Sequence, residues 1–119
     1  MWDADPAFWQ ALGELRATFG VHLARLCDSA RNSGASVVHV IPAISQIVGN
    51  WTNATLAQHY IERIHTIARR YGNVVVDVNA AWERLGPTAA QALTSGGGNS
   101  HPTQAGHNDI TARLMGILV

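Results

Sequence analysis

A chain of 119 residues, 47% hydrophobic and 13% charged, is the size of one domain with one core and small for a complete doubly wound α/β fold. Its eight cations are all arginine and are matched by eight acids, which excludes the basic field that nucleic acid or an anionic membrane requires. No apolar run approaches the ~20 residues of a membrane span, and a single cysteine, Cys27, excludes an intrachain disulfide.

The charged share is about half the usual one. Either a sheet is buried on both faces, or part of the surface is covered by a partner, and both fit this chain. Met1-Trp2-Asp3-Ala4-Asp5 does not read as a signal peptide, and localisation is left open.

Residues 1–18 admit two readings. One is a helix opened by Pro6, carrying Phe8, Trp9, Leu12 and Leu15 and interrupted by Gly13; the other is a short strand over Ala7–Leu12. Beyond them the pattern is helical: Phe19, Leu23, Leu26 and Ala30 recur at i, i+4, i+7 and i+11. Cys27 reads as a small buried hydrophobe, and Asn32-Ser33-Gly34 ends the helix with Gly34 as a left-handed cap. Ser36–Ile41 follows, a continuous β-branched run that predicts a central parallel strand covered on both faces. His39 inside it reads as a core histidine bonded by a neighbour.

Residues 43–53 read as a loop containing two Asn-x-Thr triplets, at Asn50 and Asn53, with Asn53 capping the next helix. That helix, Ala54 to Tyr71, puts Leu56, Tyr60, Ile64, Ile67 and Ala68 on one face and Arg69 and Arg70 at its C-terminal end. His59 and Glu62 have half the spacing of a metal site but no second pair, so they read as solvated surface. Gly72 ends the helix, Asn73–Val78 is a second buried strand, and Asn79 caps a short helix, Ala80–Leu85, closed by Gly86-Pro87. Asp77 lies where open α/β sheets place ligand-contacting groups, although capping of nearby amides is the favoured role. Thr88–Gly98 reads as a small-residue loop. The final helix, Gln104 to Leu118, is expected to bury His107, Ile110, Leu114 and Ile117 along one stripe.

These elements make an α/β unit with right-handed parallel crossovers, two strands and an undecided third. Such a short Val- and Ile-rich sheet leaves an apolar edge, and another polypeptide or a second copy of the chain is expected to cover it.

One stretch stands apart: Gly96-Gly97-Gly98-Asn99-Ser100-His101-Pro102-Thr103-Gln104-Ala105-Gly106-His107. Pro102 fixes the backbone before the helix and Thr103 can cap it. His101 is thereby held at a loop-to-helix junction, where an imidazole can serve as a general base near neutral pH.

The run from Asn99 to His107, followed by an amphipathic helix, resembles the last motif of the SGNH (GDSL-type) hydrolases, which are esterases of flavodoxin-like fold. The likeness is specific at this motif and extends loosely from about Leu12 to Val119. It implies a single SGNH-like domain or half-domain over residues 1–119, a partial three-layer α/β/α fold with a short parallel sheet. It makes His101 the catalytic base and acyl esters or carbohydrate esters the substrate class, with no cofactor. No metal is assigned either, since a zinc site from His101 and His107 lacks further ligands.

The sequence departs from that family in three places. Gly98 stands where the family has the aspartate that orients the histidine. Gly13-Glu14-Leu15-Arg16 keeps only the glycine of the oxyanion-binding Gly-x-Asn-Asp motif. No Gly-Asp-Ser occurs, and none of Ser29, Ser33, Ser36, Ser45, Ser95 and Ser100 follows a buried strand in a tight turn. Three readings therefore stand: the C-terminal portion of an esterase whose serine lies on an N-terminal part, a degenerate SGNH-like domain serving assembly or ligand binding, and an unrelated α/β interaction module.

Overall fold

Residues 6–43, 51–94 and 101–118 are described by a computed structural model, with 6–16 and 51–57 as backbone alone. They form α1 (Pro6–Asn32), β1 (Val38–Ile41), α2 (Trp51–Tyr71), β2 (Val74–Asp77), α3 (Val78–Leu85), α4 (Pro87–Gln91) and α5 (Gln104–Leu118). β1 and β2 pair as a two-stranded parallel sheet, and α2 is the crossover that parallel neighbours require. The fold is thus small α/β and mostly helical. The chain gathers into two units, Met1–Val38 with Gln58–Val74, and His39–Ala57 with Val75–Val119.

The first unit rests on α1 and α2. α1 runs unbroken through Gly13 and Gly20, so the strand ending at Leu12 is not formed and Gly13 does not follow a strand. The buried stripe of α1 is centred on Gly20 and Cys27, while Leu26 is 67% exposed. At 100° per residue this stripe lies about a quarter-turn from the expected one, because two small residues let the neighbouring helix come close. A Cβ on Gly20 would meet Arg63 Cδ at 2.9 Å. Phe19 and Tyr60 meet edge to face, their centroids 4.9 Å apart, and Ile61, Ile67 and Ala68 of α2 are buried. Gly34 (φ 81°) and Gly72 (φ 68°) end the two helices in the left-handed conformation their positions require.

The joint between the helix ends is polar. Tyr71 donates its hydroxyl hydrogen to Asp28 Oδ1 at 2.8 Å, and Arg31 lies 5.5 Å from the Tyr71 ring centroid. Asn73 Nδ2 donates to Cys27 Sγ at 3.4 Å, so Cys27 is buried as expected.

The sheet does not match the both-faces expectation. In β1, His39 and Ile41 are buried while Val40 is 43% exposed, the alternation of a strand packed on one side only. Burial pushes the His39 imidazole below its ordinary value.

At the end of β2 the cap is Asp77, not Asn79. The Asp77 carboxylate accepts the Ala80 N–H at 2.8 Å and starts α3 at Val78. Asn79 is instead turned inward, donating to Glu83 Oε1 at 3.2 Å. Two further boundaries move. α2 begins at Trp51, which leaves Asn53 inside its first turn, and Pro87 opens α4 within the segment expected as loop. Asn50 and Gly98 lie outside the described residues.

Candidate functional site

The described part of the Gly96–His107 stretch, from His101 onward, rests on the residues that follow α4. Thr94 is buried, and its hydroxyl donates to Gln91 O at 3.2 Å. Thr94 and Pro102 form an isolated antiparallel bridge, and the Thr103 N–H donates to Leu93 O at 2.9 Å. Pro102, which has no N–H to satisfy and a fixed φ, suits this hand-over from bridge to helix.

Thr103 then caps α5 as the sequence indicates. Its Oγ1 accepts the Gly106 N–H at 3.2 Å, and its carbonyl accepts the His107 N–H at 2.9 Å, the first bond of the helix. Gly106 is the point of closest approach: a Cβ there would stand 2.2 Å from Leu93 O and 3.0 Å from Pro102 Cβ. The glycine of the motif is therefore a packing requirement, since the helix N-terminus lies directly on the Leu93 carbonyl.

A second anchor holds α5 one turn further on. Trp82 on α3 is fully buried and donates its indole N–H to Asp109 Oδ2 at 2.7 Å. Arg113, one turn beyond Asp109, donates from Nε to the same oxygen at 2.7 Å and from Nη2 to Oδ1 at 3.4 Å. These bonds, the guanidinium's first, hold the Asp109 carboxyl below the usual carboxylate range against a smaller opposing push from burial.

His101 itself is exposed, immediately before the bridged Pro102. On its C-terminal side the bridged Pro102 and the Thr103 cap hold its backbone, and an exposed imidazole in such a position can take a proton from a hydroxyl brought to it. His107 is also exposed, and Ile117 is 39% exposed, so the expected buried stripe on α5 is not formed. Gly106 and the Trp82–Asp109 bond seat that helix instead. Asp77 acts as a helix cap. Among the described residues, Ser29 and Ser33 belong to α1 and its end, with the Ser33 hydroxyl donating to Ala30 O at 2.8 Å. The described residues contain no group of three or more His, Cys, Asp or Glu placed to hold a metal ion, and no helix long and apolar enough to cross a membrane.

Trp82, Asp109 and Arg113 did not stand out in the sequence. Their signal was the Asp–Arg pair at i, i+4 on a helix otherwise poor in charge, and a tryptophan whose N–H had to find an acceptor once buried. No known protein family, curated protein or solved structure matches this chain.

Proposed function

We propose that this chain is the C-terminal portion of an SGNH-type esterase of flavodoxin-like fold, in which His101 is the general base for a serine carried on an N-terminal part. The observation that supports this most is the build of the His101–Gly106 junction. The bridged proline, the threonine cap and the glycine against Leu93 O together anchor the backbone just after an exposed imidazole, ahead of α5. A base of this kind works by taking the serine proton as the hydroxyl attacks the acyl carbon, then returning it to the leaving alcohol. With glycine at position 98, the second imidazole nitrogen has to be oriented by a backbone carbonyl, by water or by the completing segment.

A second reading has its own support. The absence of a Gly-Asp-Ser motif, together with the missing aspartate, fits a degenerate SGNH-like domain used in assembly or ligand binding. Hydrolysis of p-nitrophenyl acetate separates the two. This chain alone is expected to stay at the background rate, and its assembly with a polypeptide that supplies the Gly-Asp-Ser nucleophile is expected to hydrolyse the ester. An assembly that forms but does not hydrolyse acyl esters overturns the esterase reading in favour of the degenerate domain.

A further inference from the structure

The first unit carries a groove that the esterase reading does not use. It occupies about 400 Å³ and is lined by Arg25 and Asp28 of α1, by Arg63 and Arg70 of α2, and by Gly20, Val21 and Ile67 among the apolar residues. Three of the chain's eight arginines thus meet at one place in a protein of zero formal charge. None of the three is in an ion pair among the described residues. The one carboxylate in the groove, Asp28, already accepts the Tyr71 hydroxyl hydrogen. Three cations gathered around one anion repel each other unless a further anion joins them.

We propose that this groove binds a small organic phosphate monoester, with Arg25, Arg63 and Arg70 on the phosphoryl oxygens and Val21 and Ala24 against the organic body. The local excess of two positive charges matches the ~−1.5 to −2 charge of a phosphate monoester at neutral pH. A carboxylate would neutralise only half of it. Guanidinium forks pair with phosphoryl oxygens bidentately and lose little hydration in doing so. The groove is larger than phosphate alone needs and lies at the small end of ordinary ligand sites. Gly20 matters here through its missing side chain, because the Arg63 stem crosses the space a Cβ would fill.

The test is calorimetric titration of the full chain at low salt with phenyl phosphate and, separately, with inorganic phosphate. Saturable one-to-one binding of phenyl phosphate, tighter than that of inorganic phosphate, is expected. Arg63→Gln and Arg70→Gln are each expected to weaken it about tenfold or more, while Arg84→Gln, an exposed arginine of the other unit, leaves it unchanged. Gly20→Ala keeps every charge and favours the helix, yet should weaken binding by displacing Arg63. No saturable binding of either probe up to about 10 mM, or equal weakening by Arg84→Gln and Arg63→Gln, would overturn the site. Equal affinity for the two probes would overturn the role of Val21 and Ala24.

Discussion

Gly106 and Gly116 lie on the same helix and respond oppositely to a methyl group. At Gly116 nothing stands within 4 Å of an added Cβ, whereas at Gly106 the Leu93 carbonyl is 2.2 Å away. Gly116→Ala is therefore expected to stabilise the fold by about 0.5–1 kcal/mol through helix propensity. Gly106→Ala should destabilise it, since overpacking against backbone costs about 1–3 kcal/mol and outweighs the same gain; denaturant midpoints of the two variants give both signs. At the second anchor, Asp109→Ala leaves the buried Trp82 N–H unbonded and should cost about 1–3 kcal/mol. Arg113→Ala removes a partly exposed ion pair and should cost about 0–1 kcal/mol.

Asp109 and His39 both contribute to the pH dependence on the acid side. Asp109 is held below its ordinary value, so its stabilisation is complete above about pH 3.9 and is lost as pH falls through the depressed folded value. His39 is also lowered, from 6.5, by burial. The unfolded chain therefore binds its proton first, and stability falls as pH drops below that value. His39→Leu is expected to flatten the stability profile just below pH 6.5; an unchanged slope there would count against a buried neutral imidazole.

Among the elements, the parts readable in sequence were those decided by local backbone chemistry. Gly34 and Gly72 end helices because only glycine takes φ near +70–80° without cost, and Thr103 caps α5 through a hydroxyl three residues from its target. The parts that were not readable depend on what lies across the chain. Asp77 and Asn79 are both good caps, and only the burial of Asn79 decides between them. The continuous Val–Ile run of β1 promised two covered faces, yet burial depends on which helices reach the sheet, and Val40 remains open. Near His101, the junction was legible from Pro102 and Thr103, while its footing on Leu93 and Thr94 joins segments too irregular to show a period. The alternation in β1 has a direct test: Ile41→Ala should cost about 2–5 kcal/mol and Val40→Thr less than about 1 kcal/mol.

At the scale of the molecule, the low share of charge is not explained by a doubly covered sheet, because the described sheet has two strands and an open valine. Leu26 in the first unit, and Met115 and Leu118 in the second, are exposed, and cover by another chain or segment is a proposal that such apolar surface invites. Light scattering at micromolar concentration is expected to give more than one chain per particle; a monodisperse monomer would remove the case for a covering partner. The most direct measurement of the proposed role of His101 is kcat/KM for p-nitrophenyl acetate in the completed assembly, with His101 intact and with His101→Ala. Loss of a base that acts on the nucleophile should lower it at least about 10³-fold through kcat, with KM little changed. An assembly that hydrolyses the ester equally well with alanine at position 101 would contradict that role.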